Sequence, residues 1–317
     1  MNSKFFVLLG SLCALVTFGT LEAGYILTDL GTLGGSYSYG YGINNSGQVT
    51  GRSYNGSEYH AFLYSGGSMQ DLGTLGGNSS YGSGINDSGQ VTGSSSNGSE
   101  NHAFLHNGTT MQDLGTLPEG NSSVGLGIND SGQVTGYSRS SSGARAFLYN
   151  GTTMQDLGTL GGGFSYGYGI NDSGQVTGYS STGSGTRAFL YNGTTMQDLG
   201  TLGGFESIGY GINAAGHVVG WSYNSSYDQR AFLYDGSTML DLNDLISAGS
   251  GYTLFVARGI NDHGQIVANA NTSMGTRAVL LTPETSAVPE PSAFLLLSLC
   301  AGAAIFAQRK RRIKKRS

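Results

Sequence analysis

Thiols are nearly absent from this chain. Its two cysteines, Cys13 and Cys300, both lie in terminal apolar runs, so the long stretch between them can form neither a disulfide nor a cysteine-ligated metal site. Lysine is missing altogether from Gly24 to Val288, which holds seven arginines against 18 acids, a net charge of −11. Such a body repels nucleic acid, whose binding rests on Lys and Arg neutralising phosphates, and no nucleic-acid partner is expected. Charged residues are only 11% of the chain, whereas 55 of its 317 residues are glycine and 38% are hydrophobic. That composition predicts many turns around a β-rich core rather than disorder.

Catalytic and cofactor signatures are missing too. His60, His102, His106, His217 and His263 have no metal-ligand spacing such as H-E-x-x-H. The G-T-L-G-G segments lack the lysine and following helix of a phosphate loop. Asp87, Asp130, Asp172 and Asp262 stand in N-D-x-G turns that lack the full ligand run and distal Glu of a calcium loop. The acids recur one per repeat, which suits turns and pairs better than an asymmetric acid/base couple. The expectation is a non-catalytic protein with no cofactor and no metal.

What fills the body is one unit of about forty-two residues, repeated, clearest from Gly169 to Leu202. A G-I-N element starts at Gly42, Gly84, Gly127, Gly169, Gly211 and Gly259, and an A-F-L or A-V-L element at Ala61, Ala103, Ala146, Ala188, Ala231 and Ala278. A D-L element starts at Asp29, Asp71, Asp113, Asp156, Asp198 and Asp241. Each unit reads as four short strands. N-D-S-G turns the first into the second, with Gly174 needing φ > 0. A variable Ser-rich loop leads to the third, and Asn192-Gly193 reads as a two-residue hairpin turn into the fourth. That turn predicts Arg187 opposite Asp198, and likewise Arg145–Asp156, Arg230–Asp241, His102–Asp113 and His60–Asp71, as structural pairs.

Four-stranded units of this length mark β-propeller blades. The sixth unit lacks a D-L strand, and an unmatched one, Tyr25 to Leu30, stands at the front of the body. Placing it beside Arg277 to Leu281 predicts an all-β, six-bladed propeller closed by the N-terminal strand, with Asp29 paired to Arg277; an open β-solenoid is the alternative. The repeats resemble the HAF-type repeats of bacterial extracellular proteins, named for the triplet seen at His60-Ala61-Phe62 and His102-Ala103-Phe104. Later copies carry Arg145, Arg187, Arg230 and Arg277 in place of the histidine.

The two ends are addresses. Residues 1–23 read as a signal peptide: Lys4 supplies charge, Phe5 to Phe18 the apolar run, and Ala23 the cleavage site. After the repeat body (24–283) come a proline-containing hinge (284–292), an apolar segment (293–308) expected as a transmembrane helix, and a basic cytoplasmic tail (309–317). Its fifteen-residue apolar core reaches roughly 22 Å as a helix, short of the ~30 Å hydrocarbon layer, so flanking residues must cover the rest. The triplet Pro289-Glu290-Pro291, the apolar run and the Arg-rich end resemble in order the PEP-CTERM sorting signal of Gram-negative bacteria. That resemblance implies an exosortase-type sorting enzyme at the inner membrane as partner, tethering by the C-terminal helix before processing, and release to the cell surface or extracellular matrix.

The expected function is therefore that of a cell-surface or exopolysaccharide-matrix protein, structural or carbohydrate-binding; the alternatives are a surface polysaccharide hydrolase or lyase and a protein–protein adhesion module. The variable-loop face carries the candidate ligand-binding residues Tyr54, Tyr59, Tyr137, Tyr179, Trp221, Tyr223 and Tyr227. Aromatic rings beside Asn and Ser donors suit a sugar's apolar face and polar edge, while packing between blades is the competing role of Tyr137, Tyr179 and Trp221. Sequons such as those at Asn107, Asn150 and Asn192 fall in turns that need Asn anyway.

Overall fold

A computed structural model describes residues 27–283. The expected signal peptide with its cleavage site at Ala23, the hinge with Pro289, Glu290 and Pro291, the apolar segment 293–308, the basic tail, and Tyr25 and Ile26 all lie outside the described residues. Among the described residues, no helix is long and apolar enough to cross a membrane.

The repeats fold as successive antiparallel sheets. The fourth unit is typical: Ser165–Ile170, Val176–Ser181, Thr186–Tyr191 and Met196–Asp198 pair in chain order. The first three units each form such a four-stranded sheet. The fourth and fifth are joined into one eight-stranded sheet by a single parallel bridge, Thr186 to Glu206. The sixth unit has three strands, Thr253–Ile260, Ile266–Thr272 and Gly275–Leu281. The first strand of each unit packs against the first strand of the next, and the short fourth strands lie outermost.

The core sits between sheets, not within them. Ala146, Leu148 and Leu157 of the third unit pack on Val176, Phe189 and Tyr191 of the fourth, and the same set recurs at the neighbouring interfaces. Small polar side chains lock these interfaces. Buried Ser207 Oγ accepts the Ala188 N–H of the preceding unit (2.9 Å) and donates to Gly200 O (2.6 Å). Within a sheet, buried Thr177 Oγ1 donates to Phe189 O. The first strand bulges between Gly167 and Gly169, which presses the Tyr166 carbonyl onto Gly178. A Cβ on Gly178 would lie 1.8 Å from that oxygen, so only glycine fits.

Two expectations from the sequence are corrected. The Asn192-Gly193 turn is not a two-residue hairpin. Asn192 N–H donates to Thr195 O (3.2 Å) and Asn192 Oδ1 accepts the N–H of Thr194 and Thr195, closing a four-residue loop. Tyr191 therefore faces Met196, and Phe189 faces Asp198. Arg187, left without an opposite carboxylate, donates to Phe205 O; Arg145 donates to Gly163 O (2.6 Å) and Arg230 pairs with Asp228 (3.0 Å). Asp156 and Asp198 instead accept the N–H of the glycine two residues on, as Asx turns, and Asp241 caps the 3-10 turn Leu242–Leu245 through Asn243 N–H. Only the histidines reach across: His60 Nδ1 lies 2.8 Å from Asp71, and His102 Nδ1 2.9 Å from Asp113, on the diagonal.

The second correction concerns closure. No described strand pairs with the outer edge of Gly275–Leu281. Leu27–Leu30 has no regular structure, Leu27 is 90% exposed, and Asp29 bonds its own Gly31 N–H rather than Arg277. Arg277 donates to the carbonyls of Thr276 and Met274. The seam shows in the burial: Ile43 is 70% and Leu280 64% exposed, whereas the isoleucines equivalent to Ile43 in the next four units are half-buried. The stretch 243–252, which the repeat pattern leaves unassigned, begins with the 3-10 turn, whose Leu242 is buried against Leu254 and Ile266.

Candidate functional site

At the N-D-x-G end of the sheets the turns converge on one cavity of about 250 Å³. Ile85, Ile128 and Ile170 form part of its wall, and Asn45, Asp87, Asp130, Asp172, Ala214 and Asp262 contribute one residue from each of the six units. The turns are bonded to each other in a staircase. The Nδ2 group of Asn44, Asn86, Asn129, Asn171 and Asn213 donates to the carbonyl of the equivalent Asn in the next unit, at 2.9–3.3 Å. The backbone N–H of Asn45, Asp87 and Asp130 donates to the following unit's aspartate, and Ala214 N–H donates to Asp262. The staircase stops at the seam, where Asn261 Nδ2 bonds only its own Gln265 among the described residues. The turn aspartates thus act as backbone acceptors between units, a role that reading single repeats does not expose. Among the described residues, no group of three or more His, Cys, Asp or Glu is placed to hold a metal ion.

The aromatic candidates fall into three separate groups. In the first unit Tyr54 and Tyr59 lie 5.5 Å apart between ring centres, with Tyr39 at 6.4 Å from Tyr59. In the middle units Tyr137 and Tyr179 both pack on Tyr166, at 4.7 and 4.8 Å, the second pair stacked at 11°. Burial, then the neighbouring Tyr168 and Tyr166 rings, pushes the Tyr179 phenol well above its ordinary pKa. In the fifth unit Phe205 stacks on Tyr223 at 4.9 Å and 16°, with Tyr227 at 5.8 Å from Phe205 and Trp221 edge-on to Tyr223. This last group is open to solvent: Phe205 is 43% and Tyr227 72% exposed. Tyr227 also holds φ at 64°, a left-handed conformation that is strained for a bulky residue. Phe205 escaped the sequence reading because it directly follows the Gly203-Gly204 connection, at the start of the fifth unit's first strand Gly203–Ile212, whereas the other rings came from second and third strands and the variable loop.

With this geometry established, comparison with known proteins supplies a destination and a fold. Residues 287–312 match the PEP-CTERM protein-sorting motif. The PEP-CTERM segment implies export and exosortase-type sorting to the cell surface. No curated protein matches the chain in sequence. Among solved structures, the β-propeller domain of the Trilobed protease from Pyrococcus furiosus, described as having an open velcro topology, is similar at a TM-score of 0.50 and 10% identity, over 78% of this chain and 82% of that one. A prolyl endopeptidase is similar at 0.51 and 10% identity over 78% of this chain, which spans only 41% of the endopeptidase. A six-bladed fucose-recognising lectin from Aleuria aurantia reaches 0.38 at 14% identity, covering 79% and 97%, too distant to carry an argument. The first two likenesses show a propeller-like fold and nothing about activity.

Proposed function

We propose that this chain is a non-catalytic, carbohydrate-binding component of the cell surface or extracellular matrix. In this reading its HAF-type repeats form a propeller-like ring of six sheets left open at one seam. Release from the membrane follows sorting through the PEP-CTERM segment, with an exosortase-type enzyme as partner. The carrying observation is the exposed Phe205–Tyr223 stack flanked by Tyr227 on the variable-loop face. Parallel rings open to solvent offer the flat apolar surface that a pyranose ring covers, and the strained backbone of Tyr227 holds a large ring in water where burial gives it no reason to be.

Two measurements test the reading. Glycan-array binding by the body is expected to fall at least tenfold when Phe205, Tyr223 and Tyr227 are changed together to Ala; binding that survives the triple change removes the site. Mass spectrometry of the extracellular protein is expected to find a chain ending near Glu290. A chain recovered only intact, with its basic tail, contradicts processing.

A further inference from the structure

The second strand of each sheet carries one residue opposite the alanine of the A-F-L element. That position holds Tyr137, Tyr179 and Trp221 in the third to fifth units, Ser94 in the second, Asn269 in the sixth, and Arg52 in the first. Only the first unit puts a cation there. The guanidinium carbon of Arg52 lies 4.8 Å from the Tyr39 ring centre, 5.0 Å from Tyr59, 5.4 Å from Tyr81 and 5.9 Å from Tyr41. Four rings thus fix the guanidinium, which forms no ion pair and no hydrogen bond among the described residues. Its Nε is buried without a partner, while the two Nη groups are not sealed off. Natural proteins seldom leave a guanidinium with every donor unused. Tyr39 and Tyr41 are themselves half exposed, so the cage opens to solvent.

We infer that the Arg52 cage is a binding site for a saccharide carboxylate, with the Arg52 fork holding the carboxylate and the surrounding tyrosines packing on the sugar ring. The planar fork of donors matches a carboxylate in two parallel hydrogen bonds. Being pre-positioned by four rings, it loses little freedom on binding. The ligand is a sugar with a single carboxylate at the contact point rather than a dense polyanion, because the acid-rich body repels extended negative charge. The cage itself contains no acid, and distant carboxylates are screened beyond about 8 Å at physiological ionic strength. The inference rests on the carbohydrate reading for the sugar, but its residues are distinct from Phe205, Tyr223 and Tyr227.

The test is titration calorimetry of the body with a glucuronic acid-terminated oligosaccharide and with its carboxyl-reduced, neutral counterpart. The acidic sugar is expected to bind at least tenfold more tightly than the neutral one. Arg52→Gln is expected to abolish that preference in a body that still folds cooperatively, its melting temperature lowered modestly by the lost ring contacts, and Arg52→Lys to keep only part of it, since it retains charge and loses the fork. Equal affinity for the two sugars, or Arg52→Gln binding like wild type, overturns the site. Binding of neutral glycans through the Phe205 stack with none of the acidic sugar at Arg52 overturns this inference and spares the carbohydrate reading, whereas no glycan binding at all removes both.

Discussion

At the scale of single residues, this protein is governed by what happens to polar groups where the repeats meet. His106 shows it. Tyr149, Tyr191 and Tyr234 hold the equivalent place, each accepting a hydrogen bond at Oη from Gln112, Gln155 or Gln197 of the unit before. In the second unit the place holds His106, which is 3% exposed and accepts only the Gly108 N–H. Burial holds its imidazole below the ordinary pKa. As pH falls below about 6.5, the unfolded chain takes up a proton that the folded chain resists, so stability declines on the acid side and is unaffected above it. His106→Tyr is expected to raise stability by about 1 kcal/mol near pH 5.5, through the restored bond and the removed titration, and by less at pH 8. Thermal melts at the two pH values check this; an equal shift at both denies the titration. Asp235, standing where other units have Asn107, Asn150 and Asn192, is held at about 2 by the N–H of Thr238 and then by Ser237. Its contribution is present above the ordinary carboxylate range and is lost only as pH falls toward 2.

Between residue and molecule stands the turn staircase, which couples each element to the next. Ala214 is its missing step: Asp130 N–H finds Asp172, and Ala214 N–H finds Asp262, but position 214 has no carboxylate to accept the Asp172 N–H. Ala214→Asp is expected to stabilise by about 0.5–1.5 kcal/mol, the worth of one added hydrogen bond. Asp130→Ala is expected to destabilise by a similar amount, and Asp130→Asn by little, since the amide oxygen still accepts. Urea denaturation of the three variants decides it; a loss in Asp130→Asn equal to that in Asp130→Ala shows that charge, not the acceptor, matters. Gly178→Ala is expected to cost more than any of these, because the added Cβ meets backbone that cannot move aside.

Across the whole molecule, the open seam decides where the structure yields first. Each interior sheet is covered on both faces by neighbouring units, and the terminal sheets are covered on one. Stability in such an array is approximately a sum over units and their interfaces, so the ends open at lower free energy than the middle. Amide hydrogen exchange is expected to be at least tenfold faster in Ser38–Ile43 and Gly275–Leu281 than in Ser165–Ile170. Uniform protection across all six units contradicts an open seam.

Much was legible in the chain because a repeat shows its own grammar. The six units, the turn glycines such as Gly174, the strand count of the interior sheets and the sorting segment 287–312 all follow from local pattern, since short-range sterics and turn chemistry act within a few residues. One local feature was misread: Asn192 Oδ1 accepts the N–H of Thr194 and Thr195, closing a longer loop that puts Asp198 opposite Phe189. What tertiary structure alone decided are the contacts between units: Arg187 reaches the Phe205 carbonyl of the next unit, and the N-terminal segment did not take up the edge of the sixth sheet. Likewise, Arg52 meets tyrosines from two units, Tyr81 of the second unit closing over a cation of the first, while Phe205 meets Tyr223 across two paired strands of one sheet. Local chemistry sets the shape of each repeat, but which unsatisfied group meets which ring depends on how one sheet is rotated against the next. That rotation is fixed by packing between units and is written in no single one of them.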